Sequence, residues 1–335
     1  MRTLRTLFDG FTIALIATVL LASLLPCSGV AARSFNAVSV AAIALLFFLH
    51  GARLSREAIV AGMANWKLHL VVLLSTFALF PLLGLALKPL APLLLTPGLY
   101  AGVLFLCCLP STVQSSIAFT SIAHGNVPAA VCSASASNLL GVFATPLLVA
   151  ALLATRGDAG SPLQAIGDIV LQLLLPFVAG HLLRPWIGAT VARWRRVLAF
   201  TDRGTVLLIV YIAFSESVVD GLWSHVPIAA LLGLLVVVLL LLGVALALTT
   251  LASQRLGFAR ADEVVIVFCG SKKSLATGVP MAKILFAGNP MLGLIVLPVM
   301  LYHQVQLMVC AVLAQRYARQ ADAAAAEASA TARSD

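Results

Sequence analysis

Long uncharged apolar stretches alternate with short polar segments along the whole chain. They lie at residues 11–26, 36–52, 68–87, 97–119, 127–153, 164–183, 204–222, 227–252, 264–286 and 290–314. Stretches of this size suit transmembrane helices, each of which needs roughly 20 apolar residues. Runs such as 229–248 show no alternation of polar and apolar positions, and such alternation would be required of a transmembrane β-barrel. The pattern predicts an all-α integral membrane protein with about ten transmembrane helices.

Composition agrees with this prediction. Of the 335 residues, 61% are hydrophobic and 10% are charged, and the mean hydropathy is +1.08. Soluble proteins carry about 25% charged residues, so the composition excludes a soluble enzyme. It also excludes a nucleic-acid-binding protein, although the formal net charge is +9. The predicted surroundings of the chain are the lipid bilayer.

The positions of Lys and Arg predict the orientation, because positively charged segments between spans stay in the cytoplasm. With the N-terminus inside, fifteen of them fall on inner segments and four on outer ones. The inner ones are Arg2, Arg5, Arg53, Arg56, Lys67, Arg184, Arg193, Arg195, Arg196, Arg203, Arg255, Arg260, Arg316, Arg319 and Arg333. The outer ones are Arg33, Lys88, Arg156 and Lys283. Both termini are therefore expected in the cytoplasm.

An alternative for the first stretch is a cleaved secretory signal peptide, because Arg2 and Arg5 precede an apolar run. Cleavage would leave nine spans, whereas the charge distribution requires an even number. The first stretch is therefore assigned as a transmembrane helix.

Two stretches are interrupted by polar residues, the fourth at 110–116 and the ninth at 269–274. Non-helical backbone at membrane depth is tolerated only where protein covers it or where it lines a wet cavity. The two breaks therefore predict an interior cavity and a binding site. The candidate residues at the breaks are Ser111, Thr112, Gln114, Ser115, Ser116, Gly270, Ser271, Lys272, Lys273 and Ser274.

The two breaks occupy the same place in each half of the chain. Because each half has five predicted spans, the halves would enter the membrane in opposite directions. Paired interrupted spans in inverted repeats indicate the binding site of a secondary transporter, and the half-helix ends supply fixed dipoles for ions and substrate. The predicted units are a first repeat over 1–160, an inverted second repeat over 161–316 and an Ala-rich cytoplasmic tail over 317–335. The tail either extends the last helix or is disordered.

The polar residues Tyr302, Gln304 and Gln306 alternate with other residues in the tenth stretch. Alternating positions on a helix cannot share one face. At most two of these three side chains are therefore expected to reach the breaks.

Three strings, LPSTVQSSIAFT, GNVPAAVCSASASNLLGVFATPLL and FCGSKKSLATGVPMAKILF, together with the breaks in the fourth and ninth spans, resemble the bile acid:sodium symporter superfamily in its SBF-like branch. The resemblance covers the chain to about Arg316. It implies a panel domain and a core domain, the core holding spans three to five and eight to ten, with the two broken helices crossing at its centre. It also implies symport of sodium with a bile-acid-like or other amphipathic organic anion across a cell membrane. The branch includes bacterial membrane proteins, which favours a bacterial inner membrane.

The resemblance also implies a sodium site. Ser115 and Ser116 match two of its ligands, and Asn138 falls near a third, with Ser133, Ser135 and Ser137 beside it. The ninth span departs from the family pattern. Phe268 stands at the position of a Glu ligand, and Lys272 at the position of a Gln ligand.

This departure matters because a buried sodium site gains much of its affinity from a carboxylate. No Asp or Glu lies between Glu57 and Asp158, or between Glu263 and Asp322. An ammonium group at the ion position repels a bound cation strongly where water is excluded. One hypothesis is that Lys272 or Lys273 replaces the bound cation, or offers its charge to an anionic substrate. The alternative is that both lysines extend to a membrane interface.

The sequence thus predicts a secondary transporter of an organic anion. The coupling ion is sodium by resemblance, while the missing carboxylate favours proton coupling or independence from sodium. The alternative is an ion-conducting or regulatory membrane protein of the same fold. A membrane-embedded enzyme is disfavoured, because the chain contains no HExxH, GxSxG or DDxxD. No cofactor is predicted apart from the coupling ion.

Overall fold

The computed structural model describes residues 10–53, 65–153, 170–222 and 226–334, and every regular element in these ranges is helical. The helices are α1 (Gly10–Leu24), α2 (Gly29–Arg53), α3 (Trp66–Ala86), α4 (Ala91–Leu94), α5 (Pro97–Cys108), α6 (Gln114–Ile122), α7 (Val127–Leu153), α8 (Leu175–Arg193), α9 (Arg195–Val219), α10 (Ile228–Arg255), α11 (Arg260–Gly270), α12 (Leu275–Leu285) and α13 (Leu292–Ser334). A π-helical turn at Ser75–Leu79 lies within α3, and another at Val170–Leu174 precedes α8.

Six helical segments of the described residues are long and apolar enough to cross a membrane. They are α2, α3, α7, α10, the pair α11–α12 taken as one unit, and the Leu292–Ala323 part of α13. The integral membrane character is therefore supported, while the count of ten spans and the inverted repeats stay predictions. The boundary predicted between residues 160 and 161 lies outside the described residues, as do Arg2, Arg5, Arg56 and Arg156 of the charge analysis. The tail continues α13 through Ser334 as a helix.

The two predicted breaks appear as two interrupted helices. Residues 109–113 separate α5 from α6, and residues 271–274 separate α11 from α12. Pro110 has no backbone N–H, so no helical hydrogen bond can form at that position. At the second break, the Ser274 hydroxyl accepts a hydrogen bond from the Thr277 backbone N–H at 3.2 Å. Ser274 is therefore the N-cap of α12.

The π-helical turn in α3 releases one carbonyl group from the helix. The Phe80 N–H donates to the Ser75 carbonyl, five residues earlier. The next bond of this pattern would join Thr76 to residue 81, but that residue is Pro81 and has no N–H. The Thr76 carbonyl is therefore available to a partner outside α3.

Four helices, α1, α2, α8 and α9, pack on one another. The backbones of α2 and α8 approach closely at two glycines, because Gly51 lies against the Phe177 carbonyl and Gly180 against the Phe48 carbonyl. Small residues allow such close approach between helices in membranes. The remaining helices include both interrupted pairs, and α9 contacts them at α12 and α13.

We predict that Gly180→Ala lowers the unfolding temperature of the purified protein by several degrees. A Cβ atom at this position would overlap the backbone of α2, and backbone cannot move aside as a flexible side chain can. Gly243→Ala in α10 is the matched control, because a Cβ there meets nothing within 4 Å. The measurement is thermal unfolding in detergent. Equal unfolding temperatures for the two variants would contradict the packing of α2 on α8.

Candidate functional site

The two breaks contact each other directly. The Ser274 N–H donates to the Pro110 carbonyl at 2.9 Å. The Ser111 hydroxyl donates to the Cys269 carbonyl at 2.6 Å, and the Ser116 hydroxyl donates to the Phe268 carbonyl at 3.1 Å. Each interrupted helix therefore supplies hydrogen-bond donors to backbone carbonyls of the other, at the positions where the helical hydrogen bonds are interrupted.

Helix α7 joins both breaks through Ser137 and Asn138. The Ser111 N–H donates to the Ser137 hydroxyl at 3.0 Å, and the Asn138 amide group donates to the Ser111 carbonyl at 2.7 Å. The Asn138 Oδ1 atom accepts from the Thr277 hydroxyl at 2.9 Å. Asn138 thus bridges the break before α6 and the first turn of α12.

Lys273 lies with its ammonium group in a cage of carbonyl oxygens. Its Nζ atom donates to the carbonyls of Thr76, Cys107 and Leu109 at 2.8, 2.9 and 2.7 Å. The Phe80 ring covers the same group, with 4.2 Å between Nζ and the ring centroid. The residue is 1% exposed.

Lys272 is equally buried but lies in different surroundings. Its Nζ atom donates to the Ser115 carbonyl at 3.0 Å. The centroids of the Phe119 and Phe268 rings lie 3.9 and 5.1 Å from Nζ. The alternative that both lysines extend to a membrane interface is therefore wrong, because the protein encloses both ammonium groups.

Helix α13 holds the backbone of the second break. The Tyr302 hydroxyl donates to the Ser271 carbonyl at 2.7 Å. The Gln306 amide accepts from the Lys273 N–H at 2.9 Å and donates to the Lys273 carbonyl at 2.8 Å. Gln304 points elsewhere and accepts from the Thr12 hydroxyl at 2.8 Å. Two of the three polar residues of this helix therefore reach the break, as expected.

No carboxylate among the described residues accompanies the two ammonium groups. The acid nearest in sequence is Glu263, in the first turn of α11. It lies nine residues before Lys272, which corresponds to roughly 13 Å at the helical rise. Glu263 is already bound by Arg260 at 2.5 Å and by the Tyr317 hydroxyl at 3.1 Å. Lys273 is therefore balanced by carbonyl dipoles that include the negative C-terminal end of α5, and Lys272 by the Ser115 carbonyl.

Hydrogen bonds connect most of the predicted site residues around this crossing, while Gln114 and Ser135 are placed by their helices alone. Gln114 is exposed, and Ser115, Ser135 and Asn138 are half-buried. The others are buried: Ser111, Thr112, Ser116, Gly270, Ser271, Lys272, Lys273 and Ser274. Their roles in binding stay predictions.

The positions that the family resemblance assigns to sodium do not fit a sodium ion here. The oxygen atoms of Asn138 and Ser116 already take part in hydrogen bonds within the protein. The Lys272 ammonium group binds the Ser115 carbonyl beside them. A sodium ion among these residues would meet a positive charge with no carboxylate to offset it, at a depth where Coulomb repulsion is strong.

The interior cavity predicted at the breaks is replaced by protein contacts, since Ser116, Ser271 and Lys272 have no exposed surface. A cavity of about 730 Å³ lies elsewhere, between α10 and α13. Its walls are mostly apolar, with Arg316 among the lining residues.

The carbonyl groups that hold the lysines were not foreseen from the sequence. Any residue type can supply a carbonyl, so Thr76, Cys107 and Leu109 carry no signature of this role. For Thr76, the one available signal is Pro81, which removes the N–H that would otherwise bind its carbonyl. The rings of Phe119 and Phe80 also carried no distinguishing pattern in an apolar span.

The chain is similar to proteins in bacteria and animals. It is 64% identical to uncharacterized protein PA2026 of Pseudomonas aeruginosa over 322 residues, which cover 96% of each chain. It is 55% identical to YfeH of Escherichia coli, described as a proposed symporter, over 94% of this chain and 95% of YfeH. It is 30% identical to sodium/bile acid cotransporter 7 of Rattus norvegicus, over 91% of each chain.

The sequence profile of one transporter family matches residues 9–319 and thus includes both breaks. The match and the relatives agree with the resemblance seen in the three sequence strings. The chain belongs to the SBF-like CPA transporter family.

Proposed function

We propose that this protein is a secondary transporter that moves an organic anion across the bacterial inner membrane. The family and the relatives named as a symporter and a cotransporter support transport rather than enzymatic chemistry. The observation that carries the substrate class is the pair of buried ammonium groups at the crossing of the two broken helices.

The crossing favours negative charge for two independent reasons. Lys272 and Lys273 place two cations in the interior, with no acid beside them among the described residues. Helices α6 and α12 begin at the crossing, and the N-terminal end of a helix carries a partial positive charge that attracts anions. An anion that binds here gains attraction from both sources without displacing a protein carboxylate.

The half-buried residues mark the side from which an anion would approach. Ser115 and Asn138 are partly exposed, and Gln114 is exposed next to them. The Ser115 carbonyl is the one that binds the Lys272 ammonium group. A bile-acid-like or other amphipathic acid would place its charge near Lys272 and these polar groups, and its apolar body against the apolar helices.

Transport would proceed by alternating access around this crossing. We propose ten spans in two inverted repeats, with α1, α2, α8 and α9 as the panel and the interrupted helices in the core. Glu216 of α9 accepts from Asn36 at 3.2 Å and lies 3.6 Å from Lys283 of α12. The contact between Glu216 and Lys283 joins the panel to the core, and it would change when the core moves against the panel.

The coupling would not require sodium, because the Lys272 ammonium group already supplies positive charge beside the family's ion position. The proton is the alternative coupling ion, and transport assays should compare a proton gradient with a sodium gradient. A substrate with a large hydrophobic body would be in keeping with the bile acid in the name of the rat relative.

We predict uptake of an organic anion that persists without sodium. Bile acids and other amphipathic carboxylates would first be screened for ligands that raise the unfolding temperature of the purified protein. Labelled ligand uptake into proteoliposomes should saturate and should remain when sodium is replaced by N-methylglucamine. Lys272→Met should reduce uptake at least about tenfold, the effect of losing roughly 1.4 kcal/mol of binding.

Lys88→Met is the matched control, because Lys88 is exposed and distant in sequence from both breaks. Uptake that strictly requires sodium, together with full activity of Lys272→Met, would contradict the proposal. Currents that do not saturate with substrate would instead favour an ion-conducting protein.

We predict that the segment after the sixth span and the segment after the tenth span both lie in the cytoplasm. Reporter fusions after Arg196 and after Arg319 should give cytoplasmic signals, because the flanking segments are rich in arginine. A fusion within the segment after Lys88, which is predicted to lie outside, is the control and should give a periplasmic signal. A periplasmic signal from either arginine site would overturn the ten-span topology.

A further inference from the structure

We infer that the carbonyl oxygens of Thr76, Cys107 and Leu109 form a monovalent-cation site that the Lys273 ammonium group occupies permanently. Lys272 is then the only one of the two lysines that is available to an anionic substrate. The second statement rests on the proposed function, whereas the first concerns the folded protein alone.

The site matches an ammonium ion in number and geometry. A lysine ammonium group has three N–H donors and no acceptor, and three carbonyls accept from it at 2.7 to 2.9 Å. The Phe80 ring closes the remaining side at 4.2 Å. Oxygen atoms are also the ligands that alkali cations prefer in proteins.

The three carbonyls are available because of the fold and not because of Lys273. Thr76 has lost its helical partner through the π-helical turn and Pro81. Cys107 and Leu109 lie at the end of α5, where Pro110 stops the helix. The carbonyl between them, that of Cys108, is taken by the Thr145 hydroxyl at 2.8 Å. Without a cation, three buried carbonyls would remain without donors, which is costly.

The backbone of Lys273 is fixed, which keeps its side chain in the cage. Gln306 binds both the N–H and the carbonyl of this residue. The next N–H, that of Ser274, is bound to Pro110. Lys272 has one carbonyl acceptor, Ser115, on the half-buried side of the crossing. The adjacent lysines therefore have different roles: Lys273 is structural, whereas Lys272, although fully buried here, has a single carbonyl acceptor and would bind an anionic substrate when the crossing opens.

Truncation of Lys273 should convert this site into one that binds free cations. Lys273→Ala removes the ammonium group and most of its stem but leaves the three carbonyls in place. Sodium can bind to the carbonyl oxygens, and propylammonium replaces most of the lost side chain. Binding to the folded state alone raises the unfolding temperature.

The experiment measures thermal unfolding of the full chain in detergent with 100 mM sodium, propylammonium or choline chloride, the last as a control for ionic strength. Lys273→Ala should unfold below the wild type in choline and should gain about 3 °C or more in propylammonium or sodium. Wild type and Lys272→Ala should show no such gain. Equal unfolding of Lys273→Ala in all three salts, or the same gain in Lys272→Ala, would overturn the cation site.

A second pair of variants decides the matter if Lys273→Ala does not fold. Lys273→Gln keeps two N–H donors but no charge, and Lys272→Gln is its matched partner. The Lys273 variant should lose more stability, because three carbonyls depend on it and one depends on Lys272. Equal losses would overturn the inference. Uptake assays are separate, so a failure of anion transport would not be mistaken for a failure of this site.

Discussion

A backbone carbonyl that loses its helical partner inside a membrane must find another donor within the protein, and the core of this transporter depends on that requirement. Each carbonyl from Cys107 to Ser111 has such a donor. The donors are Lys273 for Cys107 and Leu109, Thr145 for Cys108, Ser274 for Pro110 and Asn138 for Ser111. Because these donors come from α7 and from the break between α11 and α12, the hydrogen bonds join distant parts of the chain.

The same requirement explains why two ammonium groups can be buried without carboxylates. Around Lys273, carbonyl dipoles at the end of α5 and in the π-helical turn of α3 supply the negative potential that an acid would otherwise provide, and the Ser115 carbonyl does so for Lys272. Phe80, Phe119 and Phe268 add the negative faces of their rings. The same hydrogen bonds thus hold the lysine side chains and satisfy the backbone carbonyls at the helix breaks. A change to the lysines therefore affects the backbone, and a change to the backbone affects the lysines.

Much of this architecture could be predicted from the sequence, because apolar length and polar interruptions are local signals. The breaks at 109–113 and 271–274 fall within or beside the predicted intervals. The partners of the breaks could not be predicted, because backbone acceptors such as Thr76 are not distinguished by residue type. Lys272 and Lys273 look alike in the sequence, yet their side chains reach different surroundings. Among the described residues, the predicted wet cavity is replaced by protein contacts, because side chains such as Asn138 of α7, Phe80 of α3 and Tyr302 of α13 fill the crossing.

Replacement of a mobile ion by a tethered one changes the electrostatics of transport. In the sodium site that the family resemblance implies, a carboxylate offsets the bound ion, and the ion leaves when the substrate is released. Here Phe268 and Lys272 stand at the ligand positions, so the group that carries the positive charge is tethered to the chain. With both lysines protonated, the crossing carries a charge of about +2, which a bound monoanion reduces to about +1. In the proposed transport of an organic anion, the substrate would therefore take over the charge compensation that the carboxylate provides elsewhere, and anion selectivity would follow from the absence of that carboxylate.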